Sequence, residues 1–246
     1  GNMLIFHIEN AVIVTLFILI CEKLLKDKWY LILPFLIFPS SLITPNYNFF
    51  VLFLFILLIY CEKNNKSDYL IGVLLSIIFL TKQSIGISLL FVSLYYIKSK
   101  NKILKRAISF ILINSLFLIY LIASKSFSKF IDLCFLGLVD FGNSNTMLFT
   151  ITFFLTVILL IGVLFLIKND YKKIDYYYLL MFFSICIPLF DLTHFSIFVM
   201  AFIIVFFMNN NIEILNYKLI GILLFICFFV SILEIFILIL IVILIN

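Results

Sequence analysis

The sequence predicts an all-α fold, a polytopic transmembrane helical bundle of about ten short spans or half-spans with outward-facing polar turns. Two observations carry that prediction. Of 246 residues, 66% are hydrophobic and only 12% charged, with mean hydropathy +1.33, and a water-soluble domain of this length could not cover so much apolar surface. The long apolar runs are also broken by short polar stretches, and in a bilayer each run must satisfy its backbone polar groups internally, which selects helices. Five cysteines, Cys21, Cys61, Cys134, Cys186 and Cys227, lie far apart with no pairing rhythm. A disulfide scaffold is therefore excluded, and the absence of a CxxC or His/Cys cluster gives no metal site. Lys, Ile, Phe and Asn are in excess beside a single Arg and four Ala, a bias expected of an AT-rich genome. The expected location is a bacterial cell membrane, crossed many times.

The polar stretches lie at 22–28, 62–68, 98–106, 168–175 and 209–218, and they hold 14 of the 17 basic residues. Lys82, Lys125 and Lys129 are the others. The positive-inside rule places all five stretches in the cytoplasm. A segment joining two cytoplasmic stretches crosses the membrane an even number of times, so each is expected to be a hairpin.

Residues 29–61 carry Pro34, Pro39 and the polar knot Thr44, Pro45, Asn46, Tyr47 and Asn48, where a helix would break. Residues 69–97 carry Thr81, Lys82, Gln83 and Ser84 at their middle, and residues 176–208 are centred on Pro188 and on Asp191 to His194. The stretch 107–167 spans outward, carries an external segment at 124–148, and returns. An arm of about 12 to 16 residues reaches roughly 18 to 24 Å, short of a hydrocarbon core of about 30 Å. The turns are thus expected below the outer surface, lining one cavity that opens outward. The competing arrangement for 69–97 is a single tilted helix with Lys82 at its centre. It would put two basic stretches on opposite sides and cost about 2.5 to 3.5 kcal/mol for the lysine, so the hairpin is preferred.

Counting from this topology, the apolar run 4–21 crosses from outside to inside. The whole chain, 1–246, then reads as a single transmembrane domain, expected to be a fragment lacking its first span and first external loop.

Among residues able to carry chemistry, Lys82 stands first, because an ammonium within a membrane hairpin requires an anion or a wet site. A phosphate or pyrophosphate suits it, with Gln83 adding an amide at the same turn. Asn46 and Tyr47, in another turn, could bind a sugar or phosphate, although turn formation alone is the stronger account of them. Asp191 and His194 are three residues apart, so they would share a helical face, and they are the lesser candidates for acid/base work. No catalytic residue is assigned beyond these. His7 and Glu9 occupy a further external turn, and Glu234 is given no role.

Residues 72–86, Gly-Val-Leu-Leu-Ser-Ile-Ile-Phe-Leu-Thr-Lys-Gln-Ser-Ile-Gly, resemble the G-x3-G-x-(apolar)3-T-K-(Q/G)-x-x-G segment of polytopic GT-C glycosyltransferases. That class includes the protein mannosyltransferase-like and aminoarabinose transferase-like membrane enzymes. Ser76 stands where the second small residue of the pattern falls. The turns at Asn46 and Asp191 are similar to later parts of it, and the resemblance runs from about His7 to Met208. It implies transfer of a sugar from a polyprenyl-phosphate carrier to a cell-envelope acceptor at the outer face, with inversion. Lys82 would then contact the carrier phosphate and Gln83 would support it. The family's catalytic base is an acidic residue of the first external loop, which this chain is expected to lack.

Two other functions compete: a transporter or flippase for a lipid-linked sugar, and a non-catalytic membrane subunit. The expected partners are membrane lipid, the lipid-linked sugar and a glycan or lipid acceptor. No cofactor is assigned, the polyprenyl-phosphate-linked sugar being the expected donor substrate, and nothing points to nucleic acid. The basic stretches are expected to touch anionic head groups.

Overall fold

The computed structural model describes residues 3–37, 47–136, 176–186 and 195–208, together with 221, 222, 224, 225, 227 and 228. Among these residues every regular element is helical and there is no strand. In chain order the elements are α1 (Met3–Leu25), a 3-10 segment (Lys26–Ile37), α2 (Tyr47–Lys63), α3 (Asp68–Thr81), α4 (Gln83–Tyr96), α5 (Lys100–Ala123), α6 (Phe127–Ile131), a π-helical turn (Asp132–Leu136), α7 (Tyr176–Cys186) and α8 (Phe195–Phe207). The chain divides into two compact units, Gly1–Asn64 with Asn169–Asn246, and Asn65–Lys168.

In the first unit α2 and α8 form the centre. Leu52, Phe55, Ile56, Leu58 and Ile59 of α2 are fully buried, as are Ile197, Val199, Met200 and Ile203 of α8. A helix buried on every side is one that neighbours surround, and α1, the 3-10 segment and α7 do so here. Phe, Ile and Val favour strands in water, yet tertiary burial holds them in helices. Ring contacts fix the layers: Phe17 of α1 meets Phe49 of α2 with centroids 5.2 Å apart, and Phe182 of α7 meets Phe202 of α8 at 6.0 Å.

The polar ends of these helices gather at one place. The Lys63 ammonium donates to the Met208 carbonyl at 3.1 Å. Tyr177 Oη donates to Glu62 Oε1 at 2.8 Å, and Lys23 Nζ lies 5.9 Å from the Tyr60 ring centroid. Residues in or beside four of the five polar stretches therefore meet at one end of this unit, as segments that each double back require. The first arm differs from the expected α-helix: twelve residues containing Pro34 run as a 3-10 helix. At about 2.0 Å per residue they reach about 24 Å, against about 18 Å for an α-helix of that length.

The second unit is built around α3, which packs along both α4 and α5. Asp68 at the start of α3 and Ser93 near the end of α4 both bond to Arg106 of α5, so α3 and α4 run antiparallel. Two bonds between α3 and α5, Asp68 to Arg106 and Ser76 to Asn114, keep the same separation of 38 residues, so α3 and α5 run parallel. The expected hairpin in 69–97 is the observed one, and the single tilted helix is not formed. Beyond Ala123 the chain turns at Lys125, whose φ of 56° is left-handed. The short α6 then lays Phe130 edge-on against Phe117 at 5.6 Å.

One sequence reading needs correction. The stretch 98–106 was expected to be a solvated basic loop, but α5 begins at Lys100, and Arg106 is 3% exposed inside the unit. Asp68, sitting beside it at the head of α3, supplies the charge that makes its burial tolerable.

Candidate functional site

The site that the sequence singles out is the tip of the α3–α4 hairpin. Lys82 alone separates the two helices, with φ −149° and ψ 101°, an extended residue between two helical ones. Its N–H donates to the Ile78 carbonyl at 2.8 Å and closes α3, while its carbonyl accepts from the Gly86 N–H at 3.0 Å and opens α4. One residue thus serves as C-cap of one helix and N-cap of the next.

Gly86 lets α4 close on α3, and Gly72 lets α5 close on the other side of α3. A Cβ at Gly86 would overlap the backbone and Cβ of Phe79, and one at Gly72 would overlap Ser109 Oγ and the Arg106 carbonyl. Only a hydrogen fits where these helices meet. Ser76, one turn after Gly72, is fully buried and accepts from Asn114 Nδ2 at 2.7 Å. Gly72, Ser76 and Gly86 thus have packing roles, and what chemistry the motif carries lies in the residues between Leu80 and Ile85.

Those residues are Thr81, Lys82, Gln83 and Ser84. Thr81 Oγ1 donates back to the Ile77 carbonyl at 2.8 Å, which ties it to α3. Lys82 and Gln83 are half-buried and Ser84 is exposed. The first-turn N–H groups of α4 have no acceptor four residues back within their own helix, and the helix dipole places a partial positive charge there. An ammonium, an amide and a helix N-terminus at one tip are groups that can bind an anion. The register of 38 residues sets Lys82 level with the last turn of α5, so the tip stops about one turn short of that helix's end.

The other expected site residues fall differently. Asn46, Asp191 and His194 lie outside the described residues, as does the external segment from 137 to 148. Tyr47 opens α2, and its side chain is likewise outside what is described. His7 and Glu9 are exposed on α1. Among the described residues no group of three His, Cys, Asp or Glu side chains could hold a metal ion.

Sequence reasoning missed a polar cluster that joins three helices of the second unit. Arg106 Nε donates to Asp68 Oδ1 at 2.9 Å and Nη1 donates to Ser93 Oγ at 2.6 Å, so a single guanidinium joins α3, α4 and α5 at the end opposite Lys82. Lysine carries no such fork. The available signal was composition: sixteen lysines and one arginine.

No family model, curated protein or solved structure matches the chain. Function must therefore be argued from the residues and their arrangement.

Proposed function

We propose that the chain is a multi-pass membrane protein of GT-C type, which moves a sugar from a polyprenyl-phosphate carrier to a cell-envelope acceptor at the outer face. Membrane residence is supported by what the helices leave uncovered. The helix α5 is long and apolar enough to cross a bilayer, and only 17% of its most apolar window is buried. Ile111, Leu112, Leu116, Ile119 and Ile122 on it are each more than half exposed. Ile5, Ile8 and Val12 of α1 are too, and Leu16 and Leu19 continue that stripe at nearly half. Continuous apolar faces of this kind are stable against lipid and costly against water.

The observation that carries the enzymatic reading is the hairpin reversal at Lys82. The arms of α3 and α4, at 14 residues each, reach about 21 Å, so a tip in a core of about 30 Å sits below the outer boundary. A lysine there, between Thr81 and Gln83, would hold a carrier phosphate. In the reaction an acceptor hydroxyl attacks the anomeric carbon, the bond from that carbon to the phosphate oxygen breaks, and the phosphate leaves with its electron pair. The hydroxyl proton passes to a base, for which Asp191 and His194 are the candidates in this chain. A fixed ammonium at the departing phosphate stabilises charge that develops only in the transition state.

The test is sugar transfer by the full chain in proteoliposomes, from a synthetic polyprenyl-phosphate sugar to envelope lipid extract. Lys82→Ala should lower turnover by about 100-fold or more, and Lys82→Arg should restore part of it. Unaltered turnover in Lys82→Ala, with correct insertion, overturns the reading. Carrier movement across the bilayer without transfer would instead identify a flippase.

A further inference from the structure

The second unit has a basic end. Asp68 at the head of α3 and Ser93 near the end of α4 both bond to Arg106 of α5, so the approach to α3, the exit from α4 and the first two turns of α5 share one end. Lys66, Lys98, Lys100, Lys102 and Lys105 are thereby gathered with Arg106. We infer that this end is a binding surface for anionic phospholipid and selects such lipids from a mixed bilayer.

Charge carries the inference, and every carboxylate enters the count. From Asn65 to Ile131 the chain holds one, Asp68, and Arg106 already takes it at 2.9 Å. Six basic residues against it leave five net positive charges. Glu62, four residues before Lys66, accepts from Tyr177 in the first unit, and counted in full against this end it still leaves four. The other polar stretches have no acid to lend: 22–28 and 168–175 each hold three lysines against two carboxylates, and 209–218 holds one of each. Lys66, Lys98, Lys100 and Lys102 are all exposed.

The start of α5 also goes against helix electrostatics. It has Lys100 and Lys102 with no acidic residue in its first turn, and Ser99 gives it no side-chain cap. A helix N-terminus favours anions and disfavours cations. A lipid phosphate at this surface would supply the negative charge that Asp or Glu supplies at most helix starts.

The surroundings select a lipid over an acidic protein. Leu104, between Lys102 and Lys105, is more than half exposed, as is Ile111, and Ile108 between them is nearly half exposed. Tyr69 and Tyr95 are exposed too, and Lys105 Nζ lies 5.7 Å from the Tyr69 ring centroid. A passage from lysine through tyrosine to bare aliphatic side chains within about two turns, roughly 11 Å, follows a phospholipid from its phosphate to its acyl chains. An acidic protein would answer the charge and leave the aliphatic face uncovered. The inference rests on membrane residence as proposed above, and not on sugar transfer or on Lys82.

The experiment places the full chain in nanodiscs of phosphatidylcholine with a minor share of phosphatidylglycerol, and native mass spectrometry reads the ratio of the two lipids retained. A lysine at a membrane surface favours an anionic head group about fivefold, so the retained ratio should exceed that of the discs by up to about fivefold. Lys98→Gln with Lys100→Gln and Lys102→Gln should remove most of that enrichment, and added salt should weaken the wild-type preference. Lys125→Asn with Lys129→Gln, beyond the far end of α5, should leave it unchanged; asparagine tolerates the left-handed backbone at that position. Both leaflets of a nanodisc are alike, so lysines that served only to set orientation in a cell would give no enrichment. Should the triple variant fail to fold, Lys98→Gln alone, in the link between α4 and α5, should still lower the retained ratio. A ratio equal to that of the discs, or one unmoved by the lysine variants, overturns the proposal. Capture of soluble polyglutamate without any lipid preference also overturns it, and makes this end a docking surface for acidic protein. A chain that fails to enter phosphatidylcholine discs at all overturns membrane residence, and this inference with it.

Discussion

Replacing Arg106 with leucine should destabilise the protein severely, and the structure sets the size of the loss. The Arg106 and Asp68 side chains are 4% and 14% exposed, so the change leaves a carboxylate largely out of water with its cation gone. Breaking a buried pair from one side costs about 3 to 5 kcal/mol. Asp68 keeps some access to water, which favours the lower end, about 3 kcal/mol. For a chain of this size that lowers Tm by about 6–12 °C. Asp68→Asn should cost a similar amount, about 3 kcal/mol, because it strands the still more deeply buried Arg106 guanidinium, for which an amide oxygen replaces the hydrogen bond but not the counter-charge. Combining Arg106→Leu with Asp68→Leu should recover most of the loss, since neither charge is then stranded. The assay is thermal unfolding in detergent, followed by far-ultraviolet circular dichroism. A Tm for Arg106→Leu within about 1 °C of wild type, or a double variant no better than the worse single one, would refute this account of how α3, α4 and α5 are joined.

Three further outcomes follow from the same geometry. Gly72→Ala puts a methyl group into the Arg106 carbonyl and Ser109, and should cost about 1–3 kcal/mol, whereas Gly72→Ala with Ser109→Gly should not recover it, because the carbonyl is backbone; urea titration of detergent-solubilised protein measures both. In a cysteine-free background, a cysteine at Gln83 should react with a membrane-impermeant maleimide added outside cells, and one at Asn101 should not; the reverse pattern would invert the topology. Because the folded state lowers the proton affinity of Lys63, the unfolded state binds more protons in the pH window just below the ordinary lysine value, so stability should rise with pH there, and Lys63→Gln should flatten that slope. The facing charges, Lys23, Lys26, Lys28 and Asp27, are unchanged in that comparison.

The helical class and the 69–97 hairpin were legible because composition and charge order, which a sequence displays directly, carried them. The even-crossing argument located the reversal at Lys82, where α3 gives way to α4. It also grouped the polar ends that meet around Lys63, Met208, Glu62 and Tyr177. What it could not show was which charges leave the water. Arg106 stands among four lysines in 98–106, and only its register against Asp68, 38 residues away, distinguishes a buried fork from a solvated cation. The same limit applies to Gly72 and Gly86. Their presence in a motif drew attention to chemistry, while their close approach to Arg106, Ser109 and Phe79 is a matter of interhelical distance, which no local pattern encodes.

The parallel pairing of α3 with α5 also imposes an order on biosynthesis. Arg106 leaves the ribosome 38 residues after Asp68, an interval of about 2 to 8 seconds at ordinary elongation rates. Throughout that time the α3–α4 pair must hold itself without α5, with the Asp68 carboxylate at its base still lacking the Arg106 guanidinium. A pause or truncation within this window would strand a half-finished unit, a natural substrate for cellular quality control.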